Sequence, residues 1–251
     1  MFDAHCHLDM MPDCAAIMRR ARAAGVGDVM IAGVNPEGWE RQLALADDGI
    51  HIALGLHPWQ VDRPHDAWLE KLEAHLKTAP ISAIGETGLD FSNRMNPRGF
   101  DAQEAAFETH LALSIRFELP VVLHAVAAHP RMLEILTHAA PLSSGGMVHA
   151  FSGSAEQAKQ YVRLGLHLSI CGAITDPRRG KLRRAVAEIP EDRLLVETDS
   201  PDQTPINRRP SPNEPAFLID VIAAVAEVRG ETPETVAKQT RQNAKKLFRI
   251  P

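Results

Sequence analysis

Residues 1–32, MFDAHCHLDMMPDCAAIMRRARAAGVGDVMIA, read as strand, helix and strand. The runs 1–7 and 28–32 are short and largely apolar, while 15–24 has the spacing of a helix with one buried face. Strands this short and apolar suit a parallel sheet covered on both sides. The unit then repeats. Further strands are expected at 52–56, 81–85, 121–124, 146–149, 167–169 and 194–197, with helices between them at 36–47, 65–77, 101–117, 131–138, 156–164 and 181–187. Two more helices, 215–229 and 233–247, follow the eighth strand, the second opened by Thr232 as N-cap and Pro233 as first helical residue.

Eight alternations without a break in composition favour an α/β fold of the (β/α)8 TIM barrel type over an open doubly wound sheet. Residues 1–251 are accordingly read as one domain. No GxGxxG or GxxxxGK[ST] motif is present, which removes the two common phosphate-loop architectures. The stretch 199–214, rich in Pro, Asn and Arg, reads as a long loop after the eighth strand, on the face where such barrels carry their sites.

Composition narrows the function. The net charge of −5 argues against a broad duplex-binding surface, and the 5% aromatic content against a stacking platform for single strands. Bound divalent cations can nevertheless attract phosphate whatever the net charge. Cys6, Cys14 and Cys171 are odd in number and lack CxxC spacing, so a reducing cytoplasm is expected rather than a disulfide framework. Cys6 and Cys171 read as small core residues. No basic-then-apolar leader opens the sequence and no membrane-length apolar run occurs, so neither a signal peptide nor a membrane span is expected.

The chemistry gathers where the strands stop. In DAHCH, His5 and His7 are two apart and face the same side of a strand, with Cys6 turned away. His57 follows strand three, Glu86 follows strand four, His124 closes strand five, His149 closes strand six and Asp199 follows strand eight. All would converge on one barrel mouth. Each alone has an ordinary reading as a core histidine, an ion-pair partner or a turn cap. Together, four histidines (His57 aside) and two carboxylates suit two divalent ions sharing a carboxylate, able to clamp a phosphoryl group. Such a donor set admits zinc, manganese or nickel, while magnesium would favour more oxygen ligands. His57 either faces substrate or packs beside Pro58 and Trp59.

DAHCHLD, ALGLHPW, AIGETGLDF, Gln103 with Phe107, LPVVLHA, GMVHAFSGS, LLVETDSPD, Asn213–Pro215 as NEP and QNAKKLF resemble the TatD family of metal-dependent hydrolases, within the amidohydrolase-like barrels. HAFSGS and ETDSPD, with Asp202 where many relatives carry Tyr, look closest to one bacterial branch. The resemblance implies one ion on His5, His7 and Asp199, another on His124 and His149, and Glu86 between them. It further implies Asp199 as general base and His57 as a substrate-binding group that stabilises developing charge. The implied reaction is phosphodiester hydrolysis, as a deoxyribonuclease-like 3′-5′ exonuclease at nucleic-acid ends, with no obligate protein partner.

One departure stands out. The family pattern places Arg two residues after the strand-five histidine, whereas here the stretch is His124-Ala125-Val126-Ala127, with His129 nearby. Without that guanidinium, bidentate phosphate recognition is lost at this position. Arg94 and Arg98, or Arg208 and Arg209, could compensate from loops, with Arg98 and Arg208 the substrate-binding candidates; each also reads as a solvated charge. The basic run from Arg178 to Arg184 reads equally well as a solvated helix face or a nucleic-acid contact. The departure raises an alternative, a metal-dependent deacylase acting on an ester or amide such as a D-aminoacyl-tRNA. A non-catalytic metal-binding module is the third reading.

Overall fold

The computed structural model describes residues 1–62, 67–92 and 99–251. Strands β1 (Phe2–Cys6), β2 (Asp28–Ala32), β3 (Ile50–Leu54), β4 (Ile81–Asp90), β5 (Val121–Val126), β6 (Gly146–Val148), β7 (Leu166–Ile170) and β8 (Leu194–Val196) lie in that order in one sheet. Each pairs in parallel with the next. The seam between the first and last strands is bridged by Asp199 N–H on the His5 carbonyl at 2.9 Å and His7 N–H on the Ser200 carbonyl at 2.8 Å. The fold is the (β/α)8 barrel expected from the alternation.

Around it run α1 (Cys14–Ala23), α2 (Trp39–Leu43), α3 (Trp68–Thr78), α4 (Phe100–Phe117), α5 (His129–Ala139), α6 (Ala155–Arg163), α7 (Gly180–Glu188), α8 (Leu218–Arg229) and α9 (Pro233–Phe248). Thr232 caps α9 by accepting from the Thr235 amide, with Pro233 in the first turn, as read from the sequence. Several boundaries differ from expectation. The helix expected at 36–47 shrinks to α2, the third strand starts two residues earlier, and β4 runs on to Asp90 so that Glu86 lies inside a strand. The start of the helix expected at 65–77 lies outside the described residues. No described helix is long and apolar enough to cross a membrane.

Phe2, Ala4, Met30, Ala53, Ala83, Val122, Met147 and Leu195 form an apolar cluster inside the barrel, plugged at the N-terminal end by Ala244, Leu247 and Phe248 of α9. The larger cluster lies between strands and helices and takes Cys6, Val29, Ile84, Leu123 and Val148. Strict alternation sends Val122 and His124 inward together, likewise Met147 with His149 and Leu195 with Glu197. In β1 and β4 alternation fails. The pairing shifts register between Asp3 and Cys6, and again between Ile84 and Thr87. Such irregularities re-aim side chains, and here they let Ala4 fill the barrel while His5 still reaches the mouth, and turn Glu86 inward after Ala83.

Gly85, next to Glu86, has φ +143°, and a Cβ there would lie 2.4 Å from the Val122 carbonyl oxygen. Only glycine lets β4 approach β5 closely enough at this bend.

Away from the barrel mouth, burial holds His110, His129 and His167 neutral, each with its pKa lowered from 6.5 to about 4. A folded-state pKa below the unfolded value means that the unfolded chain binds protons which the folded chain refuses. Stability is therefore constant above pH 6.5 on account of these groups and falls as pH drops towards 4. Denaturant titrations should show His129→Gln losing stability less steeply over that window, by up to about 1.4 kcal/mol per pH unit. An unchanged slope would contradict this account.

Candidate metal centre

At the C-terminal mouth, Glu86 is almost fully buried and its two oxygens face different histidines. Oε1 lies 2.6 Å from His124 Nδ1, 2.8 Å from His149 Nε2 and 3.2 Å from His57 Nε2. Oε2 lies 3.3 Å from His5 Nε2 and 3.6 Å from His7 Nε2. Asp199 Oδ1 completes the second set at 3.6 Å from His5 and 3.7 Å from His7. The six residues singled out as ligands thus meet at one point. His57 joins them, because His57, Glu86 and His124 bring donor atoms within 4.8 Å of one another.

The donor set fits divalent cations. Glu86 Oε2 is buried without a hydrogen-bond partner, although imidazole nitrogens surround it. Buried polar atoms left so are uncommon unless something binds them. Burial lowers the pKa of His5 and His57 to about 4, so both rings are neutral; His57 Nδ1 accepts the Trp59 amide at 3.1 Å, which leaves its proton on Nε2 facing Glu86. Burial by itself would raise Glu86, but His149, His57 and His5 override it and hold the carboxyl well below its ordinary range. Burial likewise opposes protonation of His149, yet Glu86 and Glu197 raise its pKa well above 6.5. Asp199 differs: burial pushes its pKa up to about 7.

Comparison with known proteins gives the family. A family model described as TatD related DNase matches residues 2–249. The chain is 36% identical over 257 residues to the uncharacterized metal-dependent hydrolase YjjV of Escherichia coli (strain K12), covering 99% of this chain and 98% of that protein. This chain belongs to the TatD-related DNase family. A 3′-5′ ssDNA/RNA exonuclease TatD of Pectobacterium atrosepticum is 35% identical, with both chains covered in full. The crystal structure of Escherichia coli YjjV superposes with a TM-score of 0.94 at 35% identity, covering 100% of this chain and 98% of that one. A TatD family hydrolase from Entamoeba histolytica, at 17% identity and TM-score 0.84 over 98% and 97% of the two chains, shares the fold.

Several TatD motif residues act as supports that sequence reading left without a role. Asp90 of GETGLD takes the Trp59 Nε1–H at 2.6 Å and lies 3.3 Å from His124 Nε2, turning Nδ1 of that ring towards Glu86. Gln103 then holds Asp90 by both its backbone groups, accepting its N–H at 2.8 Å and donating to its carbonyl at 3.2 Å. Glu197 of ETD lies 3.3 Å from His149 Nδ1 and accepts the Ala150 amide at 2.6 Å. Carboxylates behind ligating histidines fix ring orientation and raise basicity. Asp3 accepts from both the amide and the hydroxyl of Thr198, at 2.8 and 2.5 Å, tying β1 to the segment carrying Asp199. Asn213 of NEP donates to the carbonyls of Thr198 and Asp202 at 2.7 and 2.6 Å. Ser154 of HAFSGS closes a capping box with Gln157 at the start of α6. The legible signal was a carboxylate two residues from His5, His7 and Asp199, namely Asp3, Asp9 and Glu197; nothing next to His124 or His149 marked the acids that hold them.

A cleft of about 840 Å³ opens above the TatD centre, lined by His124, His149, Asp199, Trp59, Val126, Asp202 and Arg209 among others. Val126 is 40% exposed there, so no guanidinium emerges from the end of β5. Of the arginines expected to compensate, Arg208 is not brought to the cleft. Its Nε donates to Asp220 at 2.8 Å and its guanidinium sits 4.7 Å over the Phe217 ring. Arg94 and Arg98 lie outside the described residues. Arg209 does line the cleft, as does Arg179 from the basic run.

Proposed function

We propose that this chain is a divalent-metal-dependent hydrolase that cleaves phosphodiester bonds at the ends of single-stranded nucleic acid. The observation that carries it is the Glu86 carboxylate, shared between His5 and His7 on one side and His124 and His149 on the other. Two ions would be held, one by His5, His7 and Asp199 and one by His124 and His149, with Glu86 common to both. An imidazole-rich set favours zinc, manganese or nickel over magnesium. Such ions, when bound, supply positive charge that acidifies water and offsets charge on a phosphoryl oxygen.

The remaining work belongs to the chain. Asp199 lines the cleft and accepts the proton of the attacking water at its carboxylate. His57 accepts the Trp59 amide at Nδ1 and so keeps its proton on Nε2, beside Glu86 and His124, where it would offset charge developing on the phosphate. Asp90 and Glu197 keep the His124 and His149 rings aimed. The exonuclease name of the Pectobacterium relative supports a 3′ end as the point of attack. All the donors come from one chain of 251 residues acting as a unit, so no obligate partner is invoked, and three free cysteines suit the cytoplasm.

Val126 at the cleft favours a second reading, in which the same centre hydrolyses an aminoacyl ester. Metal-reconstituted protein incubated with a 5′-labelled single-stranded oligonucleotide separates the two. Stepwise shortening from the 3′ end, abolished by chelator, is the expected result. An intact oligonucleotide alongside a hydrolysed aminoacyl ester would overturn the phosphodiesterase reading.

A further inference from the structure

Two of the four adjacent arginine pairs in the sequence follow barrel strands, Arg178-Arg179 after β7 and Arg208-Arg209 after β8. In each pair the structure ties one member to an acid and leaves the other at the cleft. Arg178 grips Asp176 through Nε and a terminal nitrogen, at 3.0 and 2.9 Å. Arg208 is held by Asp220 at 2.8 Å. Arg179 and Arg209 are both exposed, line the same cleft as His149 and Asp199, and have no carboxylate partner among the described residues. Arg209 donates Nε–H to the Thr204 carbonyl at 3.1 Å, which positions the guanidinium, and its terminal nitrogens have no hydrogen-bond partner among the described residues.

We infer that Arg179 and Arg209 bind the backbone phosphates of a single-stranded substrate that flank the scissile bond, replacing the recognition that Val126 cannot give. This rests on the phosphodiesterase reading above. Guanidinium groups suit the task because their planar fork matches phosphate oxygens, and weak hydration makes them cheap to bring to an anion. The two come from different βα loops, so they contact the chain at separate points along the cleft. Their surroundings add to the field: α7 begins at Gly180, immediately after Arg179, with no acidic residue in its first turn. Against them the cleft carries the exposed carboxylate of Asp202. Recognition thus falls to two placed cations instead of a basic surface, which is how a chain of net charge −5 can hold a polyanion.

The paired arginines provide matched controls. Metal-loaded protein is titrated against a fluorescein-labelled single-stranded phosphorothioate 12-mer at several salt concentrations. In parallel, turnover of bis(p-nitrophenyl) phosphate, which has no flanking phosphates, is measured. Arg179→Gln and Arg209→Gln should each weaken oligonucleotide binding about tenfold and reduce the slope of log affinity against log salt by about 0.7. Both should cost less on the small diester than on the oligonucleotide, and Arg178→Gln and Arg208→Gln should leave oligonucleotide binding near wild type. If all four variants bind alike, or wild type does not bind the oligonucleotide, the inference is overturned, while wild-type turnover of the small diester leaves the phosphodiesterase reading intact. Wild type that binds through Arg179 and Arg209 yet hydrolyses no phosphodiester supports the inference and sinks the catalytic reading.

Discussion

Asp199→Asn is expected to lower kcat on bis(p-nitrophenyl) phosphate by about 10³-fold while leaving KM and the fold nearly unchanged. Asp199 has φ +56°, in the left-handed region that most side chains avoid. Asparagine tolerates that conformation well and matches aspartate in shape, so the backbone should hold where alanine would add strain. The Asp199 N–H bond to the His5 carbonyl also survives, keeping the seam between β8 and β1. What disappears is the proton acceptor. Burial raises this carboxyl to about 7 in the metal-free chain; an amide can accept no proton with or without metal. Loss of one ligand oxygen will also weaken metal binding, so the comparison is made at saturating metal, with bound metal measured directly. A variant that retains kcat within tenfold of wild type at full metal occupancy would remove Asp199 from the role of base.

Glu86→Gln should do more, abolishing turnover and disturbing the metal-free protein as well. The carboxylate faces both histidine groups, with His124 and His149 nitrogens within 2.8 Å of Oε1. A glutamine in its place directs one NH₂ group at imidazole nitrogens and supplies no charge to hold two cations together. We expect activity at background, at least about 10⁴-fold down, with less metal bound per chain. In the metal-free state the buried His149, whose pKa is raised by Glu86 and Glu197 against burial, loses its first counter-ion. Breaking a buried pair on one side costs on the order of 3 kcal/mol.

The sign follows from the two shifts. The depressed Glu86 contributes stability above the ordinary carboxylate pKa of 4.5, lost as pH falls below it. The raised His149 contributes fully below 6.5, lost as pH rises through its folded-state value. The deficit of the Gln variant should therefore be fully present around pH 5–6.5 by denaturant unfolding in chelator, while the metal-loaded wild type shows none. Equal stability of the two metal-free proteins there would refute the buried-pair account.

The sequence carried the barrel and its ligands because both are written in local patterns. Short apolar runs alternating with amphipathic segments can bury themselves only as parallel strands under helices, and eight such units close a ring. His124 and His149 keep the inward parity of Val122 and Met147, so their convergence follows from strand geometry, whereas Asp199 lies beyond the end of β8 at φ +56°. Capping at Thr232 is equally local.

Only the tertiary structure decided the rest, because it depends on contacts between residues remote in sequence. The register shifts in β1 and β4 that turn His5 and Glu86 inward arise from packing against β2 and β5 and leave no trace in apolar spacing. Asp90 becomes a support for His124 only because β4 runs to its end beside β5 and Gln103 reaches across from α4. The four paired arginines are indistinguishable as sequence. Their division into Arg178 and Arg208, tied to Asp176 and Asp220, and Arg179 and Arg209, turned to the cleft, follows from where the loops after β7 and β8 place their acids. A charge has the same sequence signature whether its partner is a carboxylate or a substrate, and only the folded chain supplies the partner.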